Sequence, residues 1–287
     1  MSIYKVSHYT KLEQIPKKFH LFLNKRPIVN YEILQSLGEL KKFPKKHGGL
    51  LECIIVEKNG NIQLATFRVP PFNVMISHTL DLDSVTTIVE FMGTKNINIP
   101  GIFGPSEVCS LFVEEWENVY KERFQTSNES WFFLLEGLSS SPKNLGSVIV
   151  ASKEHEELLI QWSKASILEL IPNSPKTFLD SCIKNLSRRI QDKKVFILLV
   201  NKTTVSMGSI TGKYGDMQFI NDVYTPPEHR RKGYATELCI QLVQKIRSDN
   251  NNHPVLTVFV SNEKAIRIYT KIGFMQRAKV AIFLKQN

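Results

Sequence analysis

A double proline at 226–227 stops a run of β-forming residues, and a basic turn, Arg230-Arg231-Lys232-Gly233-Tyr234-Ala235, leads from it directly into an amphipathic helix. No other stretch restricts the fold as tightly. Proline lacks an amide hydrogen and has a fixed φ, so the strand over 218–225 must end at this pair. In the helix that follows, Ala235, Leu238, Cys239, Leu242, Val243 and Ile246 keep the spacing of one buried helical face. Successive backbone N–H groups at such a turn, together with the positive end of the helix, form a site for a phosphate or pyrophosphate. Gly233 lets the backbone approach that ligand closely, and Arg230, Arg231 and Lys232 add favourable charge.

A second pattern follows one strand later. In VSNEKAIRIYTKIGF, residues 260–274, Asn262 ends an apolar strand, and Ala265, Tyr269 and Gly273 stand three, seven and eleven positions beyond it. At ~100° per residue these offsets return to within ~60° of one face, so a polar group, a small residue and a phenol share one surface.

The two patterns together, in this order and separated by one helix and one strand, resemble the GNAT superfamily of N-acetyltransferases over residues 146–284. The acyl-CoA signature, Q or R-x-x-G-x-G or A, is met by Arg230, Gly233 and Ala235. The later N-x-x-A-x-x-x-Y-x-x-x-G-F pattern is met by Asn262, Ala265, Tyr269, Gly273 and Phe274. The resemblance implies acetyl transfer from acetyl-CoA, as cosubstrate and without a metal, to a primary amine of a small molecule or aminoacyl acceptor. It also implies roles. The backbone of Val223, Tyr224 and Thr225 pairs with pantetheine and points an N–H at the thioester carbonyl. Arg230, Arg231, Lys232, Gly233, Tyr234, Ala235 and Thr236 hold the pyrophosphate. Asn262 hydrogen-bonds pantetheine, Ala265 lies beside it, and Tyr269 protonates the departing thiolate. Where some histone-acetylating members carry a glutamate, counting back from Arg230 reaches Phe219; Asp222, Glu228 and His229 are nearby, and no base is assigned.

The remaining chain reads as an α/β (α+β) protein of tandem GNAT-like modules, each a mixed, mostly antiparallel sheet flanked by helices. Residues 50–57 and 61–69 are β-rich and joined by Lys58-Asn59-Gly60, a hairpin signal. A short strand at 73–77, a helix over 81–93, a Gly-Ile-Phe-Gly-Pro turn at 101–105, a helix from 105 or 106 and a strand at 131–135 follow. Residues 138–144, LSSSPKN, are the most linker-like, which sets the domains at 1–140 and 141–287. In the second half, Phe178, Leu179, Cys182, Ile183, Leu186 and Ile190 trace one apolar stripe. The first half broadly repeats the order of the second, but His78-Thr79-Leu80 stands where the basic turn would be, so residues 1–140 are expected to be a degenerate GNAT-like module, or another α/β domain, that does not bind coenzyme A.

The charge of +10, from 37 Lys and Arg against 27 Asp and Glu, favours anionic partners. The lysine pairs at 17–18, 41–42 and 45–46 read as a solvated face. Four well-separated cysteines in apolar contexts argue against disulfides and a zinc knuckle. No apolar run approaches the ~20 residues of a membrane-spanning helix and no secretory signal opens the chain, so a cytoplasmic location is expected. Two other readings compete: a basic nucleic-acid or ribosome-associated protein, and a non-catalytic acyl-CoA-binding regulator. The dispersal of the basic residues weighs against the first, and the phenol of Tyr269 against the second.

Overall fold

The computed structural model describes residues 3–44, 50–249 and 252–286. They form two compact units, Met1–Phe132 with Arg277–Asn287, and Phe133–Gln276.

The first unit runs β1 (Tyr4–Tyr9), α1 (Lys17–Asn24), α2 (Tyr31–Lys42), β2 (Glu52–Lys58), β3 (Asn61–Arg68), β4 (Val74–Ile76), α3 (Asp83–Thr94), β5 (Gly101–Pro105), α4 (Ser106–Tyr120) and β6 (Phe124–Leu135). Strands β1 to β4 pair antiparallel in sequence order, whereas β4 and β5 run parallel. The predicted hairpin is present: Asn59 (φ +52) and Gly60 (φ +78) turn the chain between β2 and β3 with both central residues left-handed, as a tight two-residue loop demands. Strand β1 was not expected, because it lies half-exposed at the sheet edge and carries no strong apolar alternation. The 101–105 segment, expected as a turn, is strand β5. Both its glycines are needed for close approach: a Cβ would lie 2.6 Å from the Phe283 oxygen at Gly101 and 2.4 Å from the Ile76 oxygen at Gly104. The core packs α3 (Val85, Ile88, Val89, Met92) and α4 (Val108, Phe112, Trp116) onto Ile54, Leu64, Val74 and Ile102 of the sheet. Lys17, Lys18, Lys41 and Lys42 are exposed; Lys45 and Lys46 lie outside the described residues.

The second unit repeats this order with β7 (Ser147–Val150), α5 (Glu156–Leu170), α6 (Lys176–Gln191), β8 (Val195–Val200), β9 (Thr203–Tyr214), β10 (Met217–Tyr224), α7 (Tyr234–Ser248), β11 (His253–Phe259) and α8 (Glu263–Ile272); the last strand of the repeat, β12 (Phe274–Lys285), has only its first three residues in this unit. Here β7 to β10 pair antiparallel, and β10 and β11 run parallel. Helices α5 and α6 cover one face through Leu159, Trp162, Leu186 and Ile190, which pack with Val195, Ile197, Met207 and Tyr224. Helix α7 covers the other, since a Cβ at Gly208, one residue on from Met207, would meet Leu238 and Leu242. The stripe expected along α6 is buried only at Leu186 and Ile190, and Phe178 stands 45% exposed.

The division falls within β6 and within β12 rather than in the 138–144 segment, and it places the C-terminal strand with the first unit. The reason is pairing: Val280–Leu284 of β12 are antiparallel to β5 from Pro105 to Gly101. The 138–144 segment is no free linker either. Ser139 N–H donates to the Ile272 oxygen, Ser140 Oγ to the Lys271 oxygen, and Lys143 N–H to the buried Glu237 on α7. No helix among the described residues is long and apolar enough to cross a membrane.

Candidate functional site

The turn between β10 and α7 has the properties of an anion site. After Pro226, a single 3-10 turn (Pro227–His229) directs His229 N–H to the Pro226 oxygen at 2.9 Å and Arg230 N–H to the Pro227 oxygen at 3.2 Å. Arg231 (φ +62) and Gly233 (φ +84) then swing the chain through left-handed conformations into the helix, with Gly233 as its N-cap. The first helical bond runs from Glu237 N–H to the Gly233 oxygen. Among the described residues, the N–H groups of Arg231, Lys232, Gly233, Tyr234, Ala235 and Thr236 have no acceptor, and no side chain caps the helix. Such orphan donors at a helix start carry the positive end of the dipole. Arg231, Lys232 and Gly233 are exposed, and the space over Gly233 is open apart from Leu145, 3.4 Å from where a Cβ would stand.

Arg230 stands apart from the other turn residues. Its Nη2 donates to both carboxylate oxygens of Glu169 on α5 at 2.7 Å, its Nε donates to the Thr225 oxygen at 2.9 Å, and the guanidinium lies 5.6 Å from the centre of the Tyr224 ring. The side chain braces the turn against α5 instead of extending toward the open amides. Burial and the hydrogen bond to Glu169 push the Tyr224 phenol up to about 12.

The adjacent strand supplies an irregular edge. On β10, Asp222 and Val223 together stand opposite the single Gly208 of β9, between the pairs Asn221↔Ser209 and Tyr224↔Met207. This is a β-bulge, with Asp222 left-handed at φ +54. On the other side, the ladder with β11 runs from Met217↔His253 to Ile220↔Leu256 and stops, while β10 continues to Tyr224 and β11 to Phe259. The sheet splits there, leaving the 221–224 backbone without a strand partner on that side among the described residues.

The second sequence pattern folds as a capped helix. Asn262 is the N-cap of α8, and its Oδ1 accepts the Ala265 N–H at 3.2 Å, so one half of its amide is already engaged and Nδ2 is the group left to a ligand. Tyr269 is buried at 9% exposure, edge-on to Phe274, and its hydroxyl has no hydrogen-bond partner among the described residues. Burial, with a smaller contribution from Cys239, holds its phenol well above the ordinary range, so it is protonated at neutral pH. Gly273 ends α8 at φ +114, where a Cβ would lie 1.8 Å from the Gly137 oxygen. That glycine serves the fold.

Comparison with known proteins agrees with this geometry. Residues 199–282 match the family described as FR47-like protein. A GNAT-family acetyltransferase from Colwellia psychrerythraea superposes with a TM-score of 0.58 at 9% identity, covering 99% of this chain and 100% of its own. A GCN5-related N-acetyltransferase from Sphaerobacter thermophilus gives 0.61 at 10% identity over 99% and 96% of the two chains. The chain has the GNAT fold. A Drosophila protein shares it, with a TM-score of 0.62 at 9% identity over 99% and 98%. No curated protein matches the chain in sequence.

Within the GNAT fold the two units differ at the turn that precedes α7 in one and α3 in the other. In the first unit the residues before α3 bond to one another: Asp81 N–H donates to Thr79 Oγ1, Ser84 N–H and Ser84 Oγ both donate to the Asp81 oxygen, and Val85 N–H donates to the Leu82 oxygen. The Asp81 carboxylate sits in this turn, bonded by the Tyr4 hydroxyl and paired with Lys58. A negative charge there opposes a phosphate, and β4 and β5 stay close at Ile76 and Gly104 where their counterparts part. The sequence flagged the missing basic turn, but not Asp81.

Of the groups near the split in the second unit, Phe219 is in the core at 3% exposure, Glu228 is exposed, and Asp222 is tied to Ser209 and Arg189. Sequence reasoning missed Glu169 and Glu237. Glu169 lies at the end of a helix whose apolar pattern carries no sign of it. Glu237 is buried at 2% and bonds the Lys143 N–H and Gln241, a role visible only once α7 and the 143–148 segment meet.

Proposed function

We propose that the second unit transfers an acyl group, acetyl in the simplest case, from its coenzyme A thioester to an amine. The observation that carries this reading is the run of unbonded N–H groups from Arg231 to Thr236, set beside a bulged strand with a free edge. A diphosphate fits the first feature, because several donors and a helix dipole converge on an exposed turn with room above Gly233. An extended amide chain fits the second, because the 221–224 backbone is open on the side where β11 departs.

In this reading Arg231 and Lys232 add charge at the diphosphate, Asn262 Nδ2 bonds the pantetheine chain, Ala265 leaves room for it, and Arg230 acts through the brace to Glu169. The Val223 N–H, at the bulge, faces the thioester carbonyl and stabilises negative charge as it builds on that oxygen. The amine lone pair forms a C–N bond at the carbonyl carbon, and the C–S bond breaks with its electron pair on sulfur. The sulfur takes the proton of the Tyr269 hydroxyl, the new amide nitrogen gives its extra proton to water, and solvent restores the phenol. Tyr269 can fill the donor role because a phenol carries its proton at neutral pH. Holding both reactants side by side supplies much of the acceleration.

Calorimetric titration with acetyl-CoA, followed by thiol release over a panel of small amines and aminoacyl compounds, tests the reading. Saturable binding with turnover on at least one amine is expected. No binding removes the reading, and binding without turnover on any amine makes the unit a regulator that senses acyl-CoA.

A further inference from the structure

Strand β9 carries Val-Ser-Met-Gly-Ser over residues 205–209, and its two serines are wholly buried, at 0% exposure each. Neither hydroxyl is idle. Ser206 Oγ donates to the Tyr224 oxygen at 2.9 Å and lies 2.9 Å from Thr225 Oγ1; Ser209 Oγ donates to the Asp222 carboxylate at 2.7 Å. The bulge of β10 is therefore gripped on both sides of Val223, with Gly208 opposite the gap between the two grips. Arg189, from α6, adds a third contact, its Nη1 3.0 Å from the same carboxylate oxygen. Arg189 keeps this contact although its Nε is buried without a partner among the described residues.

Bulges loosen a ladder, since the extra residue has no partner and the strand can shift by a step. A bulge that must aim one N–H needs something other than the ladder to hold it. Asp222 supplies two things there: it is among the L residues that tolerate φ +54 best, and its short side chain reaches both Ser209 and Arg189.

We propose that Asp222, held by Ser209 and Arg189, is a positioning residue that sets the direction of the Val223 N–H. The inference rests on the acyl-transfer reading above and adds a role that the sequence patterns do not contain. Asp222 does not exchange protons with the acceptor; its carboxylate is a fixed anchor, and the reacting atoms feel it through the backbone.

The test compares Asp222→Asn, Asp222→Gly and Asp222→Ala in the full chain, with acetyl-CoA affinity, steady-state turnover and hydrogen exchange of the peptide covering 217–226. Asparagine tolerates the backbone angle and its amide oxygen still accepts from Ser209; glycine tolerates the angle but has no anchor; alanine lacks both. Asp222→Gly and Asp222→Ala are expected to lose about 10- to 100-fold in kcat, short of or equal to the loss of a whole oxyanion donor. Their acetyl-CoA Kd is expected to rise no more than about fivefold, less than kcat falls, because the 231–236 turn is separate and only the pantetheine-facing backbone is loosened; saturable binding also shows that they fold. Asp222→Asn is expected to recover at least about a third of wild-type kcat, and exchange in 217–226 to quicken in the glycine and alanine variants only. Wild-type kcat in Asp222→Gly would overturn the proposal, since backbone freedom alone would then suffice. So would an Asp222→Asn variant as poor as Asp222→Ala, which would place the carboxylate in the chemistry. If the wild-type protein turns over no amine, the acyl-transfer reading fails by itself, and exchange still decides the anchor: unchanged protection in Asp222→Gly rejects it.

Discussion

Replacing Tyr269 by phenylalanine should leave the protein about as stable and make it a poorer catalyst. The residue is 9% exposed, and its hydroxyl, which has no partner among the described residues, is not one of the fully buried polar atoms that lack one, so water reaches it. Removing a hydrated hydroxyl while the ring contact with Phe274 survives changes stability by less than about 1 kcal/mol, or ~2–4 °C in Tm for a body of ~150–250 residues. Turnover falls by far more: losing a general acid costs ~10²–10⁴ in rate. Affinity for acetyl-CoA should change by less than about twofold, because the pyrophosphate amides are untouched. Differential scanning fluorimetry, calorimetric titration and a thiol-release assay on one preparation read all three quantities. Undiminished kcat in Tyr269→Phe would refute the proton-donor role, and a Tm lowered beyond that range would show that the hydroxyl is bonded within the folded chain.

Gly273→Ala combines a φ of +114 with a Cβ 1.8 Å from the Gly137 oxygen, so a loss of at least ~2 kcal/mol is expected, read as a drop in the urea midpoint; an unchanged midpoint would mean the 137–140 contact is dispensable. Glu169→Ala frees Arg230 from its brace. Acetyl-CoA binding should weaken about two- to fivefold as the turn loosens, whereas tighter binding would show that Arg230 itself reaches the phosphates. Burial raises the phenols of Tyr31, Tyr224 and Tyr269 above the ordinary value of about 10, so the folded chain holds these protons longer than the unfolded chain. Their contribution to stability is complete below about pH 10 and is lost as pH rises through the folded values, about 12 for Tyr224; the urea midpoint should fall between about pH 10 and 12, and a flat profile would contradict the buried placement.

Local chemistry was readable where one residue type forces one geometry. Pro226 and Pro227 end a ladder wherever they stand, Asn59-Gly60 makes a tight hairpin, and Gly233 before an apolar helical stripe leaves amides unbonded at a helix start. These rules act over a few residues, so much of the order of strands and helices, and the turn with unbonded amides before α7, followed from them. The Gly101–Pro105 segment misled because glycines mark both turns and tight strand contacts, and only the oxygens of Ile76 and Phe283 decide between the two.

What the chain alone could not convey depends on partners distant in sequence. Residues 280–284 carry no sign of pairing with β5, nearly two hundred positions earlier, so the place of the last strand beside the first unit is not legible in the sequence. Arg230 reads as one more positive charge until Glu169 appears beside it, and Asp222 as one of three polar groups near the turn until Ser209 and Arg189 close on it. A residue's type fixes what bonds it can make; which bond it makes is settled by whichever group tertiary packing delivers within hydrogen-bond reach, and that is a property of the whole folded chain.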